Sequence, residues 1–525
     1  MWQIPASRWV TAAALALLFG MAFTEGIAAA SFTVDSSFDA MDANPGDGVC
    51  ADEAGACTLR AAIMEANALA GPDTVTIPAG IYILTIPSVV VDTAQTGDLD
   101  ITEDLQIIGS GAPATIIDGG RALGDGIGGP NFEVLRGVTA GMSDVTVQNG
   151  GDSLSVAGGL RNRGTLTLNA VTFRDNEAPL GGGVRNSGTL IVNGGAFVHN
   201  GASDPQSKGG GLFNSGGMVT LSDVIFSQNL AATGGAISNF GILAMDATTV
   251  DRNTATTQGG GIFSATVMTI DKSTISNNVA FRGGGGLFDD GSSLVVTNST
   301  FSSNRTSIGS GGGILNLGPA TFTNVTVANN ATRNPEGFLG GGGIVNDEHG
   351  NPRITLRNTI TSGNVGGDCA GSHIVSEGHN LSSDATCDFT GPGDLRSVDP
   401  HLGPLADNGG PTRTHALLPG SRAIDAGGDL VCPNQDQRGL SRPFDGDSDG
   451  QAVCDIGAYE SHRCLGDVND DGAVDALDLR LVARAIGSEP GSPRWNAAAD
   501  VTTNGVVDND DLHVVLRARR AEICG

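Results

Sequence analysis

The fold is decided by the stretch Gly158–Asn346, in which one short pattern returns eight times. Each copy opens with glycines, continues with an apolar residue and usually reaches Asn two positions later. The copies read GGLRN, GGGVRN, GGGLFN, GGAISN, GGGIFS, GGGLFD, GGGILN and GGGIVN, starting at Gly158, Gly181, Gly209, Gly234, Gly259, Gly284, Gly311 and Gly341. A second signature, an apolar residue with Asn three positions later, follows in seven copies, whereas in the last copy Ile360 and Asn364 lie one residue further apart.

The spacing of the two signatures separates a constant half of the repeat from an elastic half. The two apolar positions lie 13 or 14 residues apart in seven copies, but the link to the next copy ranges from 8 to 14 residues. Alternating segments such as Thr189–Val192 and Leu294–Thr297 are typical of β-strands. Repeats of about 25 residues with strand periodicity predict a solenoid of parallel β-coils, whose stacked Asn side chains can hydrogen bond in ladders.

The paired signatures resemble the repeats of polymorphic outer membrane proteins. That resemblance implies a right-handed parallel β-helix carried on a cell surface. The expected fold class is therefore mainly β: a right-handed, pectin-lyase-like parallel β-helix, followed by the small α-helical calcium-binding module described below.

Composition limits the partners of the chain. The net charge of −29 repels nucleic acid and anionic lipid and favours metal cations, so nucleic-acid binding is disfavoured. The eight cysteines, an even number, are compatible with four disulfides in an exported protein.

The N-terminus indicates export. Arg8 precedes an apolar run from Val10 to Phe23, and Ala28–Ala30 supplies a small-residue cleavage site before Ser31. The run is too short to span a membrane comfortably, so residues 1–30 are predicted to be a secretory signal peptide. We therefore expect a secreted, extracellular protein that can be attached to a cell surface and has no later transmembrane segment.

Residues 31–72 are predicted to cap the first coil of a β-helix that spans residues 73–365. Thr58 is a plausible N-cap for a helix that runs to about Leu69 and could cover the open end of the coil. The string Cys57–Ala62 resembles the Cys-Ser-Leu-Arg-Glu-Ala motif that opens a family of exported bacterial β-helix proteins, with Thr in place of Ser and Ala in place of Glu.

The region 366–460 resembles the "choice-of-anchor Q" region, which ends many bacterial β-helix proteins before a surface-attachment module. The resemblance rests on the run Leu402–Gly427, on Asp436–Gly439 and on Cys454–Glu460. Within the region, Asp445, Asp447 and Asp449 have the spacing of a calcium loop, although position 12 of that loop is Ile456 and not an acid. Both a third calcium site and a solvated acidic turn remain open.

The C-terminal segment 465–525 contains two loops with the spacing of calcium ligands, each followed by an apolar helix. The predicted ligands are Asp467, Asn469, Asp471, Ala473, Asp475 and Asp478 in the first loop, and Asp500, Thr502, Asn504, Val506, Asp508 and Asp511 in the second. Ala473 and Val506 would contribute their backbone carbonyls. Thr502 is a weaker ligand than Asp or Asn, so the second site is expected to bind less tightly.

Two tandem loops that end in Asp resemble type I dockerins. The resemblance implies two Ca²⁺ ions as the cofactor and a cohesin-domain protein as the partner, with Ala476, Leu477, Asn509 and Asp510 in contact with the cohesin. Because these two pairs differ in chemistry, we expect the two faces of the duplication to be inequivalent.

The disulfides are predicted to pair nearest neighbours, because local closures fit a modular chain. The predicted pairs are Cys50–Cys57, Cys369–Cys387, Cys432–Cys454 and Cys464–Cys524.

Two functions fit the rod. As a non-catalytic adhesin or spacer it would bind a polysaccharide or a cell-surface ligand through loops, and the long links Gly201–Lys208 and Ala331–Leu339 are candidates. As an extracellular polysaccharide lyase or glycoside hydrolase it would need clustered carboxylates or an Arg base. The strands show almost no recurring charged positions, and Asp289–Asp290, Asp347–His349 and His379 are interpreted as solvated corners, so the first function is favoured.

Overall fold

The computed structural model describes residues 29–88, 94–121, 128–151, 156–201, 204–333, 340–347, 353–447, 450–462, 466–469, 474–502 and 504–521. Apart from its last two residues, the predicted signal peptide lies outside this set. Within the set, no helix is both long enough and apolar enough to cross a membrane.

The chain forms a parallel β-solenoid built from three sheets, so the expected mainly β class is confirmed. Sheet 1 contains Ser31–Thr33, Asp73–Thr76, Gly80–Ile83, Leu105–Ile108, Thr115–Asp118, Thr139–Ser143, Thr146–Gln148, Thr165–Arg174, Thr189–Val198, Met218–Ser222, Ile225–Ser227, Ile242–Asp246, Thr249–Asp251, Val267–Asp271, Thr274–Ser276, Ser293–Thr297, Thr300–Ser302, Ala320–Thr323, Thr326–Ala328, Ile354–Arg357, Ile360–Ser362, Ile374–Ser376, Leu381–Ser382 and Leu395–Arg396. Sheet 2 contains Leu99–Ile101, Phe132–Val134, Leu160–Asn162, Val184–Asn186, Leu212–Asn214, Ile237–Asn239, Ile262–Ser264, Leu287–Asp289, Ile314–Asn316, Ile344–Asn346 and Cys369–Gly371. Sheet 3 contains Leu230–Thr233, Thr254–Gln258, Val279–Ala280, Arg305–Thr306 and Ala331–Thr332. A separate antiparallel hairpin pairs Leu402–Ala406 with Thr414–Leu417.

Each repeat signature has a defined place in a coil. The glycines form the corner before a sheet 2 strand, and at Gly209 (φ +62°) an added Cβ would lie 2.1 Å from the Leu212 carbonyl oxygen. The apolar residue of the second signature points into the core, where the rings of Phe197 and Phe226 stack with centroids 4.5 Å apart. Only a residue without a side chain fits the corner, which explains the glycines.

The Asn of the second signature forms an unbroken ladder inside the rod. Its members are Asn176, Asn200, Asn229, Asn253, Asn278, Asn304, Asn330 and Asn364. Each side-chain amide donates to the next carbonyl oxygen over 2.9–3.1 Å. A buried amide is tolerated only when it is hydrogen bonded, so the ladder fixes the stacking of successive coils.

In the last copy the Asn keeps its usual distance from the strand position that is apolar elsewhere, but that position is not occupied by Ile360. The register pairs Thr326 with Ile360 and Val327 with Thr361, so Thr361 occupies the position that is apolar elsewhere. Asn364 therefore still continues the ladder, with its oxygen 3.0 Å from the Asn330 amide nitrogen.

The N-terminal helix spans Leu59–Ala68, with Thr58 as its N-cap accepting a hydrogen bond from the Ala61 backbone N–H. It packs against the sheet strands Asp73–Thr76 and Leu99–Ile101 at the start of the rod. A disulfide joins Cys50 to Cys57 immediately before the helix. The helix thus covers the first coil in the manner expected of a cap.

The rod continues past residue 365 and ends inside the region 366–460. Sheet 1 ends at Leu395–Arg396, and the chain then runs back along the outside of earlier coils. There Gln437 bonds to Thr300 over 2.7 Å, and His415 bonds to Ser302 over 2.9 Å. This segment is rich in proline, which cannot donate into a parallel ladder, so it covers the coils instead of extending them. Disulfides join Cys369 to Cys387 and Cys432 to Cys454.

Candidate functional sites

The first C-terminal loop is closed by Asp478, which lies in the first turn of the helix Ala476–Ala485. One carboxylate oxygen of Asp478 accepts the backbone N–H groups of Val468 (2.8 Å) and Asn469 (3.1 Å). The other accepts the N–H of Asp475 (2.7 Å), which is the helix N-cap. One buried carboxylate therefore ties both ends of the loop to the helix.

The second loop repeats this arrangement with Asp511 on the helix Asn509–Ala521. Asp511 accepts hydrogen bonds from the N–H and hydroxyl of Thr502 (2.9 and 2.8 Å) and from the N–H of Asp508 (2.7 Å). Asp500, at the first loop position, accepts N–H groups from Asn504 (3.1 Å) and Gly505 (2.9 Å). The duplication seen in the sequence is thus also a duplication of geometry.

These loops fit a hard cation. Asp478 and Asp511 are fully buried, and within the described part of the chain neither forms an ion pair with Lys or Arg. Burying a carboxylate without a compensating charge is costly, and carboxylate, amide and carbonyl oxygens are the ligands that Ca²⁺ prefers. Of the other predicted residues, Asp471 and Ala473 lie outside the described residues, as do Cys464 and Cys524.

The predicted cohesin contacts are accessible. Ala476 and Leu477 begin one helix, Asn509 and Asp510 begin the other, and all four side chains are exposed. Leu477 is 49% exposed although it is apolar. One face therefore presents an apolar contact and the other a polar, acidic one.

At the predicted third calcium loop, the structure brings in an acid that the spacing did not indicate. Asp425 lies with Asp445 and Asp447, their nearest carboxylate oxygens within 4.8 Å of one another, and accepts the backbone N–H of Asp447. Burial, followed by the neighbouring acids, raises the pKa of Asp425. Asp449 lies outside the described residues.

A row of charges lies on the outer face of sheet 2, although the sequence showed almost no recurring charged positions. The middle residue of each three-residue strand points away from the core, and the register stacks these residues coil upon coil. In order they are Asp100, Glu133, Arg161, Arg185, Phe213, Ser238, Phe263, Phe288, Leu315, Val345 and Ala370. Four of the eleven are charged, two acids followed by two arginines, so no charge of one sign recurs along the whole row to mark it in the sequence.

The acidic end of this row is buried and partly neutralised. Carboxylate oxygens of Asp98, Asp100 and Glu133 lie within 4.8 Å of one another. Glu133 pairs with Arg161 (3.3 Å) and Arg163 (2.5 Å). Asp100 also borders a cavity of about 340 Å³ beneath the N-terminal helix. This clustering supplies carboxylates beside guanidinium groups, the combination that sequence inspection did not find.

The basic end continues on the next coils. The guanidinium carbon of Arg185 lies 5.9 Å from the centroid of the Phe213 ring. Lys208, the last residue of the long link predicted to carry binding, places its ammonium 4.5 Å from the Phe240 centroid and 5.9 Å from that of Phe213. Burial and, next, the charge of Arg161 lower the pKa of Arg185, partly offset by Glu133.

Asp289, interpreted from the sequence as part of a solvated corner, is fully buried in a second ladder of side chains. Asn162, Asn186, Asn214 and Asn239 occupy the same position on earlier coils and bond in sequence. Burial, and to a lesser extent the charge of Asp290, raises the pKa of Asp289 to about 7, although the nearby Gly291 N–H acts in the opposite direction. Among the other suggested corners, Glu348 and His349 lie outside the described residues.

Replacing Asp289 with Asn should stabilise the rod above neutral pH. The folded carboxyl has a pKa of about 7 against an ordinary 3.8, so the native state binds the proton more tightly and stability falls as pH rises from about 4 to about 7. Asn does not titrate, so it avoids this loss, and its amide can donate to Asn316. The free energy of unfolding at pH 8 should therefore rise by roughly 2–4 kcal/mol. Urea unfolding at pH 5 and pH 8 measures the change. Asp290→Asn, at an exposed position, is the control and should change the pH dependence much less, because the charge of Asp290 contributes less than burial to the raised pKa of Asp289. Equal pH dependence in Asp289→Asn and the parent would contradict the assignment.

Comparison with known proteins adds a family for the C-terminal segment. Residues 465–518 match the model of the dockerin type I domain. No curated protein matches the chain. Among solved structures the chain is similar to the crystal structure of pectate lyase Pel9A, with 14% identity, a TM-score of 0.42 and coverage of 83% of this chain and 97% of that one. It is also similar to the Azotobacter vinelandii mannuronan C-5 epimerase AlgE4 A-module, with 15% identity, a TM-score of 0.35 and coverage of 71% and 98%. The family match contains both predicted calcium loops, and it stops short of the solenoid.

Proposed function

We propose that this protein is a secreted β-solenoid that a calcium-loaded dockerin attaches to a cohesin-bearing extracellular assembly. The observation that supports this most strongly is the pair of matching loops closed by Asp478 and Asp511, inside the segment that matches the dockerin type I model. Type I dockerins typically bind calcium. The segment 465–525 carries eleven acidic and six basic side chains, a net −5, so its clustered carboxylates repel one another without cations.

Calcium should fold or tighten the dockerin segment, and Trp495 reports it. Trp495 packs against the core of that segment, and it is the only Trp after residue 30. We expect a blue shift of its fluorescence on calcium addition, reversed by chelation, with calorimetry giving two ions per chain. Unchanged emission through a full calcium titration would refute calcium-coupled folding.

Docking should depend mainly on one helix face. Leu477→Asp places a charge where an exposed apolar side chain would be buried by the partner, so it should weaken cohesin binding by at least about tenfold. Asn509→Ala with Asp510→Ala tests the other face. Binding to a panel of immobilised cohesins, in calcium, compares the two variants. Equal losses of cohesin affinity in the Leu477→Asp variant and in the Asn509→Ala, Asp510→Ala variant would contradict the expectation that the two faces are inequivalent.

For the rod we propose a non-catalytic binding or spacer role. Its coils repeat a structural ladder, whereas the side chains that vary lie on the outer face of sheet 2 and in the links between coils. Variable groups on a rigid scaffold are the usual arrangement of binding proteins.

The alternative is an extracellular polysaccharide-degrading enzyme. It is supported by the buried carboxylates of Asp98, Asp100 and Glu133 beside Arg161, because paired acids and a guanidinium can serve sugar-bond cleavage. Incubating the protein with a polysaccharide panel and assaying new reducing ends and unsaturated products separates the two functions. Product formation that is lost in Glu133→Gln would establish the enzyme.

A further inference from the structure

We propose that the outer face of sheet 2 from Arg161 to Phe240 binds an acidic polysaccharide, whose carboxylate or sulfate groups contact Arg185 and Lys208. The site lies on the rod, and it does not depend on the proposed attachment through the dockerin.

Within the described part of the chain, Arg185 and Lys208 differ from the other cations of this face because they form no ion pair. Arg161 and Arg163 both pair with Glu133. No carboxylate of the described residues lies within ion-pair distance of Arg185 or Lys208, and the contact of Arg185 with the Val156 carbonyl is long, 3.4 Å. In a chain of net charge −29, two such cations on neighbouring coils leave a place for an external anion.

Arg185 also lies close to another cation of this face, Arg161. Arg161 and Arg185 are directly opposite on adjacent strands, which are spaced by about 4.8 Å. Like charges opposite one another on a sheet are destabilising, and after burial, which is the larger cause, the charge of Arg161 lowers the pKa of Arg185, against the opposing charge of Glu133. An anionic group bound between the coils would relieve that repulsion.

Backbone and ring contacts position the two cationic groups in advance. Lys208 is fixed in the stack by hydrogen bonds from its N–H to the Pro179 carbonyl (2.8 Å) and from Gly181 to its own carbonyl (2.9 Å). The ring of Phe240 lies beneath the Lys208 ammonium, and the centroid of the Phe213 ring lies 5.9 Å from both the Lys208 ammonium and the Arg185 guanidinium carbon. Cation–π contacts restrain both side chains before a ligand binds, which reduces the entropy lost on binding.

The spacing favours a glycan over other polyanions. Side chains on one face of an extended acidic peptide recur at about 6.7 Å, which does not match coils about 4.8 Å apart. A pyranose unit advances an extended glycan by a length comparable to one coil. The site is bounded on one side by the acids Asp100 and Glu133 and on the other by the apolar residues from Phe263 onward, so it accommodates a short anionic stretch.

The test measures binding of the full-length protein to polygalacturonate, dextran sulfate, neutral dextran and poly-glutamate by calorimetry. We expect binding to polygalacturonate or dextran sulfate, weakening with added salt, and none to neutral dextran. Arg185→Ala with Lys208→Ala should reduce that affinity at least about tenfold, whereas Arg185→Lys with Lys208→Arg should retain most of it. Arg252→Ala, at a side chain 60% exposed and paired with Asp251, is the matched control.

Each outcome decides the proposal. If the Ala double variant loses affinity for only one of the two anionic glycans, the charged group of that glycan, carboxylate or sulfate, is the one that the site prefers. Because the site is on the rod, binding should persist in chelator, and binding only in calcium would overturn the assignment. Unchanged affinity in a folded Ala double variant, equal affinity for poly-glutamate, or no binding to either anionic glycan would overturn it as well. A melting temperature equal to that of the parent shows that the variant is folded.

Discussion

Replacing Arg60 with Met should lower the free energy of unfolding by roughly 3–5 kcal/mol, because it leaves a buried carboxylate without its counter-charge. The guanidinium of Arg60 is completely buried and forms two contacts with Asp39, at 2.6 and 3.2 Å. It also donates to the carbonyls of Ala94 and Gly97, both at 2.9 Å. One side chain thus joins the N-terminal helix, the preceding loop and the start of sheet 2.

The loss should be specific to the buried pair. Denaturant unfolding followed by circular dichroism measures it, and Arg252→Met is the control because that side chain is 60% exposed. Asp39→Asn combined with Arg60→Met should recover part of the loss, since it removes the stranded charge. An Arg60→Met protein as stable as the parent would show that the cap contributes little to the rod.

Replacing both Asp478 and Asp511 with Asn should abolish calcium-dependent docking. Each is the carboxylate that closes its loop, so its loss should weaken calcium binding on the order of 100-fold or more, beyond the usual cost of a change in the surrounding shell. Asn keeps the size of the side chain and can still accept one backbone N–H. Calorimetry with calcium, followed by cohesin binding, measures both effects.

The single variants separate the two loops. Thr502 occupies the third position of the second loop and already donates its hydroxyl to Asp511. Asp478→Asn should therefore remove the tighter site and Asp511→Asn the weaker one. Asp510→Asn, beside a ligand but exposed, is the control for charge in the calcium titration only, because Asp510 is also a predicted cohesin contact. Full calcium affinity in the double variant would contradict the assigned ligands.

The solenoid could be predicted from the sequence because its determinants are local. Glycine at the corner, the alternating strand and the Asn at a fixed distance recur in the copies from Gly158 onward, and each acts through its nearest neighbours on the stack. The motif Cys57–Ala62 also acts mainly through nearby residues, because it contains a disulfide cysteine, the N-cap Thr58 and the first turn of the helix. The role of Arg60 needs Asp39, however, which lies 21 residues away.

What the sequence did not show depends on register and on distant contacts. The row on sheet 2 changes from acidic to basic and then to mostly apolar residues along the rod, so no periodicity marks it, and only the strand pairing places Glu133 beside Arg161. Asp425 reaches the loop of Asp445 and Asp447 from 20 residues earlier in the chain. Asp289 looks like a corner residue until the register places it in line with Ser264 and Asn316, inside the rod.

The most direct test of the central claim is to pass the full-length protein over immobilised cohesin, first in calcium and then in chelator. The account predicts stable binding in calcium, rapid release on chelation, renewed binding when calcium returns, and no binding by the Asp478→Asn, Asp511→Asn variant. Binding that persists in chelator, or that the double variant retains, would contradict calcium-dependent attachment through the dockerin.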